Sequence, residues 1–280
     1  MLSIKKVPTF ITLILGGDVM KLDDIKNIIK RRIPTEWAED WDNTGLLIGD
    51  PTSDIKKIAV SLDFTEDSVK QAVSNECQMM ITHHPAIFHP LKSIVLYKST
   101  QKAIALAIKE DIAVYALHTN WDSSHEGVNF CLAQKIGLTN IKPLLSPNIN
   151  NGAWGLGAVG ELQGKISMKK CMELLKDKWK ITESTGFGDI SREIKKIAIG
   201  GVACGDLWEY ALGEKADVFI TSDVSYNLRL DILSMGLNLI LADHGEVERV
   251  SLSPLAKIIK EETSLPVIVL KEKDFDRITI

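Results

Sequence analysis

The chain contains six histidines, and four of them fall at comparable places. His83 and His84 stand side by side, ahead of Pro85 and after the apolar run 79–82. His118 follows the run 112–117, and His244 follows the run 237–242. Two of these histidines open a matched unit, His118-x-x-x-Asp122 and His244-x-x-x-Glu248. On a helix, residues four apart share a face, so His244 and Glu248 are expected to project together. Adjacent histidines in a regular strand would point to opposite faces. His83 and His84 act together only where the strand has ended, which suits Pro85, whose ring restricts the residue before it. Imidazole nitrogens and carboxylate oxygens without thiolates suit zinc, iron, manganese or cobalt. The set is larger than the three protein ligands of a catalytic zinc, and because a carboxylate can bridge, it admits two divalent ions. Histidines at strand ends also serve as plain hydrogen-bonding groups. The adjacent pair and the repeated unit favour the metal-ligand reading. His118 is left open between an orienting partner and a substrate contact, and His89 and His125 read as surface residues.

Other motifs carry less. Gly200-Gly201, with Gly205 before a helix, has the outline of a phosphate-cradling loop but lacks the spacing and lysine of a P-loop, so a tight strand-to-helix turn is expected. Ser222 lies in Thr-Ser-Asp and not in a nucleophile elbow. Trp41-Asp42-Asn43-Thr44-Gly45 reads as a turn, yet Asp42 and Asn43 have no obvious capping duty, so they join His118 as candidate substrate-binding residues. With no thiolate site and no nucleophilic serine, water is the expected nucleophile.

These residues need elements that place them. Strands are expected at 46–49, 57–63, 78–82 and 112–117, with helices at 23–32, 65–75, 99–110 and 127–136. Thr65 is a suitable cap, with Glu66 and Asp67 in the first turn. A stretch rich in Asn and Gly, 148–157, marks a candidate lobe boundary. Beyond it, strands are expected at 158–162, 196–200, 218–221, 237–242 and 266–270. Helices alternate with them at 167–180, 206–212, 226–235 and 247–260. Such alternation implies an α/β fold of mostly parallel sheets with helices on their faces. Ligands then bind beyond the carboxyl ends of the strands, where the histidines lie.

The halves resemble one another. Lys56-Lys57-Ile58-Ala59 recurs as Lys195-Lys196-Ile197-Ala198, and Ile81-Thr82 as Ile220-Thr221 at the same offset. The two His-x-x-x-acid units recur at a shorter offset, and the difference equals the segment 86–98, an extra loop in the first copy. An internal duplication follows: two similar α/β units, 20–147 and 148–280, with the metal site in the cleft between them. Residues 1–19 form an N-terminal extension. The apolar run 7–15 behind Lys5 and Lys6 has the outline of a signal peptide. Translation starting at Met20 is the favoured reading, with a small arm as a third.

At 280 residues, 45% hydrophobic and 25% charged, the chain is an ordinary globular one and not a disordered chain or coiled coil. A net charge of −4 and 6% aromatics give no footprint for nucleic acid. Its four cysteines are scattered, with no C-x-x-C pair, which suits a reducing cytoplasm. No apolar stretch is long enough for a membrane span.

The motifs together resemble the NIF-three-like family, whose members are often called GTP cyclohydrolase I type 2 homologues. The resemblance runs from about Met20 onward. It rests on W-D-N-T-G-L at 41–46, I-T-H-H-P at 81–85, H-T-N-W-D at 118–122 and G-L-G-A-V-G-E-L at 155–162. The turn at 200–205, T-S-D-V-S-Y at 221–226 and H-G-E-V-E at 244–248 complete it. It implies a dinuclear metal site on His83, His84, Asp122, His244 and Glu248, and a ring-shaped homohexamer. Longer relatives carry a domain inserted mid-chain, for which the stretch from Asp122 to His244 is too short. Asn227, and Gly245-Glu246-Val247, depart from the family pattern without removing a ligand. The reading is a divalent-metal-dependent hydrolase acting on a nucleotide or similar phosphorylated small molecule. The competing reading is a non-enzymatic metal-binding scaffold, metallochaperone or regulatory partner protein.

Overall fold

The computed structural model describes residues 19–147, 154–201 and 204–272. The N-terminal extension therefore lies, but for Val19, outside the described residues, as does most of 148–157. In chain order the elements are β1 (Met20–Lys21), α1 (Leu22–Arg32), β2 (Gly45–Ile48), β3 (Asp54–Ile55), β4 (Ile58–Ser61), α2 (Glu66–Ser74), β5 (Met79–Thr82), α3 (Ser99–Lys109), β6 (Ala113–Ala116), α4 (Thr119–Asp122), α5 (Val128–Lys135) and β7 (Thr139–Lys142). They continue with β8 (Ala158–Ser167), α6 (Met168–Trp179), β9 (Ser184–Phe187), β10 (Glu193–Gly200), α7 (Trp208–Gly213), β11 (Val218–Thr221), α8 (Tyr226–Ser234), β12 (Asn238–Ala242), α9 (His244–Arg249), α10 (Leu252–Thr263) and β13 (Val267–Val269).

A five-stranded sheet has the order β13-β4-β5-β6-β2 and a six-stranded sheet the order β7-β8-β10-β11-β12-β9. The centre of each is a parallel trio, β4-β5-β6 and β10-β11-β12. All four residues of β4, β5, β6 and β11 are buried. Strands covered on both faces read as continuous apolar runs, which is why the sequence shows them. The expected mostly parallel sheets are in fact mixed. Strand β2 runs antiparallel to β6, β9 to β12, β8 to β10 and β7 to β8. Two of these edges, T-N-I-K of β7 and S-T-G-F of β9, are largely exposed or half-exposed and carry no apolar run, so nothing in their composition signals a strand.

Side-chain alternation along the strands sorts the core into layers. Ala59, Met80 and Val114 face α2 and α3 on one side. Ala198, Phe219 and Leu239 face α7 and α8 on the other. The intervening positions, among them Val60, Ile81, Tyr115, Ile199 and Ile220, join one central core with apolar residues of α1, α5, α6 and α10. The two sheets thus share a middle helical layer. The boundary expected at 148–157 does not divide them cleanly. Strand β7 precedes it yet pairs with β8 of the second sheet, while β13 follows it yet pairs with β4 of the first.

Helix starts follow the expected chemistry. Thr65 accepts from the Ser68 N–H at 3.0 Å while Ser68 Oγ accepts from the Thr65 N–H at 2.8 Å, a reciprocal cap. Ser167 caps α6 by accepting from the Lys170 N–H. The helix expected at 247–260 is two helices, α9 and α10, with the break at residues 250–251. The segment 86–98 has neither helix nor strand and precedes α3 directly.

Candidate metal centre

Strand β5 ends at Thr82, but its backbone stays tied to β4: the His83 N–H donates to Ser61 O at 3.1 Å and the His84 N–H to Leu62 O at 2.9 Å. Past the ladder both rings reach one place, their centroids 5.1 Å apart, as expected of histidines beyond a strand end. His118 leads into α4, where the Asp122 N–H donates to His118 O at 3.0 Å. The first His-x-x-x-acid unit is therefore a single helical turn. His244 is the first residue of α9, which Asp243 caps by accepting from the Glu246 N–H at 3.0 Å. His244 and Glu248 do share a helix face, with Nε2 at 2.8 Å from Oε1.

Glu248 lies at the middle of the group. Its carboxylate is fully buried and faces His244, His83 at 3.3 Å and His84 at 3.1 Å. Asp122, 1% exposed, has its Oδ1 at 3.7 Å from His83 Nε2 and without a hydrogen-bond partner. The other ring nitrogen of each imidazole is held from behind. His83 Nδ1 donates to Leu117 O at 2.9 Å, and His84 Nδ1 meets Asp63 Oδ1 at 2.7 Å. His118 Nδ1 meets Asp42 Oδ1 at 2.8 Å, and His244 Nδ1 meets Asp223 Oδ2 at 2.6 Å. Such backing partners fix ring orientation and raise ligand basicity.

The charges fit this picture. Burial works against the charged form of His84, but hydrogen bonds to Asp63 and Glu248 outweigh it and raise its pKa to about 10. The hydrogen bond to Glu248 lifts His244 to about 9 against the effect of burial. Burial dominates at His83 and lowers it in spite of Glu248. Burial also opposes ionisation of Glu248, yet the surrounding imidazoles hold it well below the usual carboxylate range. Asp122, buried and beside Glu248, is pushed well above it. Burial likewise opposes the charge of Asp42, but hydrogen bonds from His118 and Thr119 bring it down to about 2.

Two groups of side chains bring donor atoms within 4.8 Å of one another: His83, His84 and His118, and His84, His244 and Glu248. His84 belongs to both. A divalent cation fits these residues: it would supply the partner that Asp122 Oδ1 lacks and take over the neutralisation of Glu248 that protonated imidazoles otherwise provide. Each of the five residues carried over from the family resemblance is brought here, and His118 joins them.

Asp42 and Asn43 sit differently from the expectation. Neither lines the adjoining cavity. Asp42 backs His118 and accepts from the Thr119 N–H at 3.0 Å and hydroxyl at 2.5 Å. Asn43 Nδ2 donates to Ile87 O at 2.5 Å and anchors the start of the 86–98 segment. The turn they occupy needs both carboxylate oxygens and the amide for its own bonds. Gly201 does not cradle an anion: its N–H donates to Asn129 Oδ1 at 2.8 Å, while Asn129 Nδ2 donates to Asp122 O at 3.1 Å. Buried Asn129 thereby ties the two halves together behind the site. His89 packs on Phe88 and His125 on Trp37, and neither lines the cavity.

Sequence reasoning missed Asp63, Asp223 and Asn129. A signal existed for two of them. Asp63 lies just past the end of β4, at the same sheet edge as the histidines. Asp223 stands at the position of His84 when the halves are aligned on Ile81-Thr82 and Ile220-Thr221.

The cavity beside the group has a volume of about 760 Å³. His84, His118, Asp122 and His244 form its polar end, and Trp41, Phe88 and Tyr210 supply aromatic wall. Glu39 and Asp206 also reach it, and no Lys or Arg is among its described lining residues. Burial pushes the Cys77 thiol up to about 11 and the Cys131 and Cys171 thiols up to about 12, so these thiols are protonated near neutral pH. Cys204, at the cavity wall, is raised as well, again by burial first.

Comparison with known proteins places this fold. The chain is 33% identical over 255 residues to a GTP cyclohydrolase 1 type 2 homolog of Clostridium perfringens, covering 90% of this chain and 97% of the relative. It is 31% identical to NIF3-like protein 1 of Drosophila melanogaster over 86% of this chain and 84% of the relative. A hypothetical protein of Staphylococcus aureus shares the fold with a TM-score of 0.86 at 27% identity, over 93% of this chain and 100% of the other. A Bacillus cereus protein related to NIF3 shares the fold with a TM-score of 0.88 at 22% identity, over 94% and 99%. No helix among the described residues is long and apolar enough to cross a membrane. The family profile of Duf34/NIF3 (NGG1p interacting factor 3) matches residues 20–274, and the chain belongs to that family.

Proposed function

We propose that the chain is a divalent-metal-dependent hydrolase with a dinuclear site, acting on a nucleotide or similar phosphorylated small molecule. One observation carries the reading: two donor groups sharing His84 lie at one end of a ligand-sized cavity with aromatic walls. Zinc, iron, manganese or cobalt suits these donors. Bound there, such ions supply Lewis acidity and make water a nucleophile at neutral pH. The chain's own groups do the rest. His83 and His84 project from the first half and His244 and Glu248 from the second, with Asp122 alongside. His118, its Nδ1 held on Asp42, has Nε2 left for the cation it would share with His83 and His84. Trp41 and Phe88, with ring centroids 5.8 Å apart, offer apolar surface to a base. The described lining has no Lys or Arg, so a phosphate would be met by the histidine and metal end, and its binding should depend on metal.

The same reading keeps the site in the cleft between two duplicated halves, in a cytoplasmic homohexamer. The matching parallel trios of the two sheets support duplication. The free thiols support a reducing compartment. The exposed apolar residues Leu91, Ile94, Leu96 and Tyr97 support assembly. The name of the Clostridium perfringens relative makes GTP a natural probe. The test is a metabolite panel including GTP, run with metal-loaded and chelated protein beside Asp122→Ala. Turnover that needs metal and falls at least about tenfold, or about 1.4 kcal/mol of barrier, in the variant supports the hydrolase. No consumption above the variant's background favours the metal-binding scaffold or metallochaperone.

A further inference from the structure

Just past the last residue of β13, the chain makes contacts that the metal centre alone does not explain. The Leu270 N–H donates to Val60 O at 2.8 Å, extending the pairing with β4. Lys271 is clamped by Gln71: its N–H donates to Gln71 Oε1 at 3.1 Å, and its carbonyl accepts from Gln71 Nε2 at 2.9 Å. Fixed in this way, Glu272 reaches the turn after β4, and its Oε1 accepts from the Leu62 N–H at 2.5 Å. Leu62 precedes Asp63, whose carboxylate holds His84 Nδ1 at 2.7 Å, and Leu62 O accepts from the His84 N–H at 2.9 Å. The Asp63 carbonyl is held as well, by the hydroxyls of Ser61 and Ser68, each at 3.0 Å.

We propose that Glu272 is a positioning residue of the metal centre: by holding the Leu62 N–H it fixes the β4–α2 turn, through that turn Asp63, and through Asp63 the ring of His84. The proposal rests on the metal-centre reading above. Its weight comes from His84, the one side chain common to both donor groups. An error in that ring's orientation is felt at both. Glu272 is far along the chain from every proposed ligand and meets the centre through the Leu62 N–H. Its carboxylate is half-buried, and burial raises its pKa against the Leu62 hydrogen bond. A purely solubilising surface carboxylate would not be held so.

Co2+ is the probe, titrated into chelator-stripped full-length protein against a competing chelator, with the visible absorption band as a second readout. Backing partners of metal ligands change affinity by about 10–100-fold; one step further out, Glu272→Ala is expected to weaken Co2+ binding by about threefold to tenfold and to alter the band. Glu272→Gln keeps an oxygen for the Leu62 N–H and should restore affinity to within about twofold. In an Asp63→Ala background, Glu272→Ala should cost nothing more, because the relay is already broken. Circular dichroism confirms that each variant is folded. Unchanged Co2+ affinity in Glu272→Ala, failure of Glu272→Gln to restore it, or an equal loss with and without Asp63 each overturns the proposal. Failure of the unmodified protein to bind Co2+ overturns the metal-centre reading, and the proposal with it.

Discussion

Without metal, the centre should make the protein lose stability as pH rises. The perturbation is alkaline titration of His244, with pKa about 9 in the folded chain against about 6.5 unfolded. A pKa raised by folding contributes stability that is fully present below the unfolded value. That contribution is lost as pH climbs through the folded one. At 1.36 kcal/mol per unit the full swing is about 3 kcal/mol. The side chain is 31% exposed, and solvent screening at that open edge reduces the expectation to about 2 kcal/mol. For a chain of this size that is roughly 4–8 °C in Tm. The assay is thermal unfolding of chelator-treated protein by circular dichroism from pH 6.5 to 9.5, for the unmodified chain and His244→Gln. Lysines and tyrosines titrate in both, so the gap between the two curves isolates His244. That gap should close by about 2 kcal/mol as pH rises. A gap that stays constant or widens refutes the assignment of His244 to Glu248 and Asp223. Saturating divalent metal should reverse the sense, since ligands must shed protons to bind it.

Further outcomes follow from other contacts. Asp223→Ala should weaken metal binding by about 10–100-fold in chelator competition, with the fold intact by circular dichroism. A Cβ on Gly127 would lie 1.6 Å from Trp121 O, so Gly127→Ala should destabilise the protein by roughly 3 kcal/mol and lower metal content, because that turn carries His118 and Asp122. Thr65→Ala removes the reciprocal cap of α2 and should lower the urea midpoint by about 1 kcal/mol of stability with an unchanged slope. Cys77, Cys131 and Cys171 are buried with raised pKa values, so a thiol-disulfide reagent should leave them unmodified at pH 7 until denaturant is added.

Much of the candidate centre was legible because its histidines sit just after buried parallel strands, and buried strands advertise themselves as apolar runs. His83, His84 and His244 were found through β5 and β12 in that way. The His-x-x-x-acid spacing then foretold the shared face of α9. Asp63 and Asp223 were not found, because a carboxylate at a strand end looks like any solvated turn residue until its imidazole is in view. Asp42 and Asn43 were singled out as polar groups, but whether they face a substrate or the back of a histidine depends on tertiary packing. The antiparallel edges β7 and β9 escaped for the opposite reason to β5: a polar edge strand needs a neighbour to pair with and has no core face of its own to declare. Asn129 was invisible because its role is to join two segments far apart in the chain.

The crossing of β13 back into the first sheet bears on how the molecule comes into being on the ribosome. The five-stranded sheet lacks its β13 edge until residues beyond α10 have emerged, and α10 itself supplies part of the central core. A nascent chain ending before β12 would hold His83, His84, His118 and Asp122 but neither His244 nor Glu248, and its middle layer would be bare on one side. The first half is therefore expected to remain an open, chaperone-dependent intermediate during synthesis. Interrupted translation should yield a product cleared by proteases, not a half-protein with half a metal site. Pairings between such distant segments also make for slow closure, so capture of the cation is expected to be a late event of maturation, after the whole chain has left the tunnel.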